Sequence, residues 1–168
     1  RDDWDNSKST AVGNFIAKYA GTAGNGLTVS VCGSRDSAWN GWTYNSAFDA
    51  KPGTSDWVSA RSADGAAALD EVHVAIVDGT GTFTGSPNTV LETFANVSLA
   101  SDAKTTDGAK NYILDVLDDR SSYVWGANKP NVFGVEIASA SFTNATHGAD
   151  QTDVAKTTVF TSGVNSAA

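Results

Sequence analysis

Three glycines that follow an apolar run are the first residues whose type and spacing could support chemistry. The run, residues 71–78, reads EVHVAIVD and is followed by Gly79, Gly81 and Gly85. A strand that ends in such a loop can hold a phosphate, provided that a helix begins at once and presents its N–H groups. Here the spacing is one residue too long for a dinucleotide-binding loop, and strand-forming residues and then Pro87 follow. No Gly-Lys-Ser/Thr motif occurs in the chain. The stretch therefore predicts the turn of a β-hairpin.

Potential metal ligands are few and badly spaced. Asp3, Asp5 and Ser7 imitate the first ligands of a calcium-binding loop. However, Lys8 stands where that loop needs glycine, and Asn14 stands where it needs a bidentate glutamate. Two histidines and one cysteine are too few nitrogen and sulfur donors for a transition-metal cluster. The sequence predicts neither a metal site nor a cofactor.

Four other side chains that could take part in a reaction are predicted to be structural. His73 lies inside the apolar run, and no nucleophile or acid partner for it is apparent in the sequence. Cys32 closes an alternating stretch, as a small buried side chain does, and shows no activating cation beside it. Asp118 and Asp119 are helix neighbours that point roughly 100° apart, which suits a solvated face rather than an acid-base pair. The chain is predicted not to be an enzyme, with no catalytic residue.

An aromatic-rich connection offers one binding hypothesis. Residues 33–57 contain three of the five tryptophans, among Gly, Asn, Ser and Asp. The flat faces of Trp39, Trp42 and Tyr44, spaced by small polar residues, suit the rings of sugars. The competing interpretation is that these aromatic side chains pin a long loop to the core. A carbohydrate-binding module is therefore the alternative function from another class.

The hydrophobic pattern predicts an α+β fold, with a mixed or antiparallel sheet flanked by a few helices. Residues 26–32 alternate like a half-buried strand, and residues 71–78 resemble a central strand buried on both faces. Residues 89–99 fit a helix or a strand, and for the first part of the segment a strand returning antiparallel to 71–78 is favoured by its Thr, Val and Phe content. Residues 108–120 place apolar side chains at helical spacing, with Asp107 as the predicted N-cap.

Weaker sequence signals predict the remaining secondary-structure elements and the domain boundary. Residues 12–19 predict a short helix or an irregular segment, and residues 122–125 and 132–139 predict strands. Residues 1–140 are expected to form one domain. Residues 141–168, which are rich in Thr, Ser and Ala, are expected to form a partly mobile tail or the start of a further segment.

Composition excludes two classes of partner and hints at a longer protein. The chain has 168 residues, of which 40% are hydrophobic, enough for the core of an ordinary domain. Its net charge is −8 and its eleven Lys and Arg are scattered singly, so no basic stripe suits nucleic acid. No stretch approaches the ~20 apolar residues of a membrane span. The absence of methionine leads us to expect an excised segment of a larger product.

Two stretches share a pattern of residues with one protein family. The first is AKYAGTAGNGLTVSV, residues 17–31, which runs from a glycine-rich loop into the first predicted strand. The second is VLETFANVSLASDAKTTDGAKNYILDVLDDRSSYVW, residues 90–125. Both resemble contractile tail sheath proteins, most closely those of large contractile-tailed bacteriophages. The first match rests on Gly21, Gly24, Asn25, Leu27 and Val29. The second rests on Glu92, Phe94, Val97, Ser98, Asn111, Tyr112, Val116, Leu117, Arg120, Ser121, Tyr123 and Val124.

The resemblance implies a structural function. Sheath subunits form stacked rings around a tail tube and rearrange into a shorter, wider lattice that drives the tube through the host envelope. It implies other sheath subunits and the tail tube as partners, and a location in the phage tail after assembly in the host bacterial cytoplasm. Sheaths of related contractile injection systems, of bacteriocin or secretion type, are the close alternative.

The resemblance covers residues 17–125, about two thirds of the chain. Beyond Trp125 it weakens, and the part of the family that contacts the tube and carries interlocking arms is not recognisable. We therefore expect a peripheral or middle part of a sheath subunit, which is monomeric by itself.

Overall fold

Two antiparallel sheets organise the part of the chain that the structure describes. The computed structural model describes residues 14–126, 138–142 and 155–160. Its strands are β1 (Phe15–Ala17), β2 (Leu27–Cys32), β3 (Glu71–Asp78), β4 (Thr89–Ser98), β5 (Val124–Gly126) and β6 (Lys156–Val159). Four strands form one sheet in the order β4-β3-β2-β6, and β1 pairs with β5 in the other. Together with the helices given below, these sheets confirm the predicted α+β class.

Strand β3 is central because it carries a core on each face. Its side chains alternate between the faces, and Val72, Val74 and Ile76 join the main core, which also contains the inward side chains of β2. Ala75 and Val77 join a second core, which contains Cys32, Ala38 and Trp42. Every residue of β3 except Glu71 is buried. The prediction of a strand covered on both faces is confirmed.

The hairpin and the strand that follows it are also as predicted. β4 runs antiparallel to β3, with Asp78 opposite Thr89 and Glu71 opposite Ser98. Residues 79–88 connect the two strands as turns and bends, without a helix. Strand was therefore the correct choice for the segment whose local signals conflicted.

The helices are short, and the longest begins later than predicted. They are α1 (Gly21–Asn25), α2 (Asp36–Gly41), α3 (Asp56–Ser59) and α4 (Ile113–Arg120), with 3₁₀ turns at Asn45–Ala47, Gly65–Ala67 and Ser139–Ser141. α4 buries four apolar side chains against the main core, those of Ile113, Leu114, Val116 and Leu117. Tyr112, not Asp107, is its N-cap residue.

A tight turn explains the shortened helix. The N–H of Thr105 donates to the carbonyl of Ala109 at 2.9 Å, and the N–H of Gly108 donates to the carbonyl of Thr105 at 2.9 Å. Gly108 has φ +87°, which glycine adopts without strain and which is incompatible with a helix. Asp107 accepts a hydrogen bond from the Thr105 hydroxyl and is therefore a turn residue rather than a helix cap.

Three strands depend on partners that are distant along the chain. Phe15–Ala17, within the segment predicted to be a short helix or irregular, pairs with β5. β5 begins at Val124, within the predicted strand 122–125. Of the predicted strand 132–139, residues 132–137 lie outside the described residues, and Ser139 begins a 3₁₀ turn. In the predicted tail, Lys156–Val159 forms β6 beside β2.

Candidate functional site

The loop that could have held a phosphate is filled by a side chain of its own hairpin. Oδ2 of Asp78 accepts hydrogen bonds from the N–H groups of Phe83 and Thr84, at 2.9 and 2.8 Å, and from the Thr84 hydroxyl at 2.9 Å. Burial alone would raise the pKa of Asp78, but the hydrogen bonds from Thr84 and Phe83 lower it. Gly81 and Gly85 have φ +80° and +81°, as tight turns require. The predicted hairpin turn is confirmed.

His73 is held as a structural side chain. Its Nε2 lies 2.7 Å from the carbonyl oxygen of Ala50, and its Nδ1 accepts from the N–H of Asn96 at 3.0 Å. This pattern needs the neutral ring with its proton on Nε2. Burial lowers the pKa of His73, although the hydrogen bond to Ala50 acts in the opposite direction. The ring stacks on Phe48 at a centroid distance of 4.4 Å, so both ring nitrogens and a face are occupied.

The three aromatic residues proposed to stack on sugars pack on one another and on the rings of Phe48 and His73. Trp42 is 5% exposed, and its Nε1–H donates to the hydroxyl of Ser30 at 2.8 Å. Trp39 and Tyr44 are half-buried and lie against Trp42 at ring distances of 6.1 and 5.9 Å. Trp42 therefore presents no face to a ligand. The competing interpretation, in which the aromatic side chains pin the loop to the core, is the correct one for this residue.

Neither the Cys32 thiol nor the neighbouring carboxylates Asp118 and Asp119 are arranged as reactive groups. Cys32 is buried, and desolvation raises the pKa of its thiol to about 11, which keeps it protonated and unreactive. Asp119 is exposed, as predicted. Asp118 is half-buried and accepts from the N–H of Gly126 at 2.9 Å, so the prediction of a solvated side chain was wrong for Asp118.

Metal ligands do not converge in the part of the chain that the structure describes. Within it, no group of three or more His, Cys, Asp or Glu side chains could hold a metal ion. Asp3, Asp5 and Ser7, which imitate a calcium loop, lie outside the described residues.

Two glycines of the first matched stretch allow two backbone segments to approach closely. Gly21 has φ +67°, a conformation that favours glycine. A Cβ atom added at Gly24 would lie 2.2 Å from the carbonyl oxygen of Tyr19. Only glycine therefore allows α1 to pack against the chain before it, just where β2 begins.

Glu92, in the second matched stretch, joins β4 to the end of α4. One carboxylate oxygen, Oε2, accepts from the hydroxyl of Ser121 at 2.7 Å, and Oε1 accepts from the N–H of Ser122 at 2.8 Å. The Ser121 oxygen also accepts from the N–H groups of Tyr123 and Val124, each at 3.1 Å. Two residues that are 29 positions apart thus fix the direction in which the chain leaves α4 for β5.

Asn111 and Ser98 make a second connection. Asn111 donates from Nδ2 to the carbonyl of Asn96 at 2.9 Å, and its own carbonyl accepts from the N–H of Ser98 at 2.8 Å. The hydroxyl of Ser98 donates to Asp70, which is fully buried. Asp70 also accepts from the N–H and the hydroxyl of Ser55, both at 2.8 Å. The Asp70 carboxylate therefore joins three separate segments.

Sequence reasoning missed both Asp70 and Ser55. The available signal was Ser55 before Asp56-Trp57-Val58, which fits a helix N-cap, and its oxygen does accept from the N–H of Val58 at 3.2 Å. Asp70 carried no comparable signal, because its partners come from distant parts of the chain.

Glu71 fastens the loop that precedes α3. Its N–H donates to the carbonyl of Gly53 at 3.1 Å, and its Oε2 accepts from the N–H of Gly53 at 3.1 Å. Burial raises the pKa of Glu71 to about 7. The hydrogen bond from Gly53 lowers this pKa in part, and the charges of Asp70 and Asp56 raise it by a smaller amount. This carboxyl group therefore titrates near neutral pH.

A small aromatic cluster reaches the surface between the two matched stretches. Tyr19 is 43% exposed and contacts the ring of Phe83 at 4.9 Å and that of Tyr123 at 5.9 Å. Phe83 and Tyr123 are half-buried and lie 5.4 Å apart. The cluster joins the hairpin loop to the start of β5.

Comparison of the chain with models of known protein families and with curated proteins finds no match in either set. Within residues 14–126, 138–142 and 155–160, no helix has the length and hydropathy needed to cross a bilayer. The polar side chains described above are used to join segments of the fold.

Proposed function

We propose that this chain is part of the structural subunit of a bacteriophage contractile tail sheath. In this proposal the subunits polymerise as rings around the tail tube and contract to drive the tube through the host envelope. The sheath of a related contractile injection system, of bacteriocin or secretion type, would use the same mechanics.

One observation carries the proposal: two pairs of the residues that gave the resemblance are hydrogen-bonded although 29 and 13 positions separate their members. Glu92 bonds to Ser121, and Ser98 bonds to Asn111. Gly24 makes the close backbone approach that begins β2. The contacts support the family assignment by giving the matched residues a common structural role.

The fold also suits the mechanics that the proposal requires. A sheath subunit must move largely as a rigid body while its contacts with neighbours change. The main core contains side chains from the large sheet, from α4 and from Phe142 in the separate segment 138–142. Close-packed interiors of this kind resist deformation. We therefore place the conformational change at contacts between subunits rather than within this part of the chain.

Electron microscopy of the full-length gene product tests the proposal. We expect sheath-like tubes to form from the purified product, either alone or on added tail tubes. A folded full-length product that forms no tubes under either condition would contradict the proposal. The genes that flank the coding sequence then separate a phage from an injection system, because only a phage encodes capsid and packaging proteins beside its sheath.

A further inference from the structure

Two Asn-Gly dipeptides occur in the chain, and the fold holds them in different surroundings. They are Asn25-Gly26, which joins α1 to β2, and Asn40-Gly41, which ends α2. In an Asn-Gly sequence the glycine nitrogen can attack the side-chain carbonyl of the asparagine, because glycine has no Cβ atom to obstruct the approach. The asparagine amide is therefore open to slow conversion wherever the backbone can bring these two groups together.

The surroundings of Asn25-Gly26 prevent that approach. Gly26 is buried, and its N–H donates to the carbonyl of Thr22 at 3.2 Å. Its own carbonyl accepts from the N–H of Gly79 at 2.8 Å, and a Cβ atom added at Gly26 would clash with the hydroxyl of Thr80. Attack on Asn25 therefore requires this packed part of the fold to open.

The surroundings of Asn40-Gly41 leave it accessible. Both residues are exposed, and the Asn40 side chain makes no hydrogen bond within the described ranges of the chain. A Cβ atom added at Gly41 would meet nothing within 4 Å. Gly41 is the last residue of a helix of six residues, and Trp42 after it is extended, with φ −80° and ψ 125°. Because helix ends fray and so short a helix is marginal, attack on Asn40 requires only the last turn of α2 to open.

We propose that Asn40 is a site of spontaneous deamidation through a cyclic imide, whereas the fold protects Asn25. The Gly41 nitrogen loses its proton to solvent base and forms a bond to Cγ of Asn40. The Cγ–Nδ2 bond breaks, and Nδ2 takes up a proton and leaves as ammonia. Water then opens the imide at one of its two carbonyl groups, which gives aspartate or isoaspartate. The reaction needs only water and stands apart from the sheath proposal.

Both products change the end of α2. The new carboxylate lies at the C-terminal end of this helix, where the helix dipole disfavours negative charge. Isoaspartate also lengthens the backbone between Trp39 and Trp42, and the hydrogen bond from the N–H of Trp42 to the carbonyl of Trp39, 3.2 Å long, spans the modified residue. The modification therefore alters the loop that Trp42 anchors in the second core.

Mass spectrometry of tryptic peptides tests the proposal. The folded chain is incubated at physiological temperature and mildly alkaline pH, and samples are digested briefly at mildly acidic pH, where imide formation is slow. Asn25 falls in peptide 19–35 and Asn40 in peptide 36–61, because trypsin does not cleave between Lys51 and Pro52. Fragmentation of the second peptide separates Asn40 from Asn45, and an isoaspartyl methyltransferase labels the isoaspartate.

We expect Asn40 to react at least about tenfold faster than Asn25 in the folded chain, because opening a buried site costs more free energy than opening a helix end. In chain unfolded with guanidinium chloride, both sites should react at similar rates, since both are Asn-Gly sequences. This comparison separates protection by the fold from an effect of the neighbouring residues.

Gly41→Ala separates imide formation from direct hydrolysis of the amide. The added methyl group obstructs the attacking nitrogen but meets no atom of the fold within 4 Å, so deamidation at Asn40 should fall to the level of Asn25. Four results would overturn the proposal: equal rates at the two sites in the folded chain, the same ratio of rates in the folded and unfolded chains, an unchanged rate at Asn40 in Gly41→Ala, or conversion of Asn40 without isoaspartate.

Discussion

Replacing Glu92 should destabilise the fold at the contact between β4 and the end of α4. The wild-type carboxylate accepts one hydrogen bond from the Ser121 hydroxyl and one from the Ser122 N–H. Ser121 is 4% exposed, so Glu92→Ala leaves a buried hydroxyl donor without its acceptor, at a cost of about 1–3 kcal/mol. Ser122 is exposed, and water can replace the carboxylate at its N–H. Loss of that charge-assisted bond adds roughly 1 kcal/mol.

We therefore expect Glu92→Ala to lower the free energy of unfolding by about 2–4 kcal/mol, a large share of the roughly 5–15 kcal/mol typical of a domain. Glu92→Gln keeps one carbonyl acceptor and should cost about 1–2 kcal/mol. Thr93→Ser is the matched control, because Thr93 is the next residue of β4 and is exposed. Its effect should stay within about 0.5 kcal/mol.

Urea unfolding followed by tryptophan fluorescence measures these differences as shifts in the midpoint at constant slope. A double-mutant cycle of Glu92→Ala with Ser121→Ala isolates the pair, and we expect a coupling of about 1–2 kcal/mol. If Glu92→Ala costs no more than Thr93→Ser, or if the coupling is zero, then the reasoning that Glu92 joins β4 to the end of α4 is refuted. If the full-length product forms tubes as proposed, the same substitution should reduce the yield of folded subunit rather than alter the tubes formed by the remainder.

Three further substitutions test other contacts. Gly24→Ala places a Cβ 2.2 Å from a backbone oxygen and should cost about 1–3 kcal/mol, whereas Gly41→Ala, with nothing within 4 Å, should stay within about 0.5 kcal/mol. Glu71 has a folded-state pKa of about 7, above its ordinary 4.5, so its contribution to stability is fully present below pH 4.5 and is lost as the pH rises through 7. Glu71→Gln removes this dependence and, after allowance for solvent screening, should stabilise the chain at pH 8 by about 1–2 kcal/mol. Asp70→Ala removes the acceptor of three hydrogen bonds and should cost about 3–5 kcal/mol, as measured by urea unfolding.

Each of these expectations has a contrary result. Equal midpoints for Gly24→Ala and Gly41→Ala would mean that the backbone can move away from the new methyl group. A wild-type chain and a Glu71→Gln chain with the same dependence of stability on pH between 4.5 and 7 would show that Glu71 does not titrate in this range. A nearly neutral Asp70→Ala would show that water replaces the buried carboxylate.

Local periodicity predicted the elements whose stability is decided by their own side chains. The β-branched run 71–78 and the alternating run 26–32 define strands because no other conformation buries so many of their apolar residues. The turn between 78 and 89 was predictable for a related reason, since its glycines permit positive φ and the Thr, Val and Phe content of the residues that follow favours a strand. The apolar side chains of α4 at helical spacing could be recognised in the sequence. The first residue of the helix could not, because the N-terminal part of the predicted helix belongs to the turn at Gly108.

Pairing between distant segments could not be predicted in the same way. β1 and β6 are three and four residues long, and such short strands exist only because β5 and β2 lie beside them. Trp42 could have been a ligand platform or a core residue on composition alone. The hydroxyl of Ser30, which accepts its indole N–H, comes from the neighbouring strand and fixes the outcome.

The sequence by itself therefore determined the central strands, the hairpin between β3 and β4 and the amphipathic character of α4. It also determined the pattern that resembles a sheath protein. Each of these features is encoded within short windows of residues. Only the tertiary structure decided what the matched residues do. Glu92 contacts Ser121, and Ser98 contacts Asn111, only after the chain has folded. The same is true of Trp57, whose ring is flanked by Arg61 and Lys104 although 43 positions separate these two residues. The physical reason is that hydrogen bonds and charge contacts act over a few ångströms, and chain folding alone brings such residues within that distance.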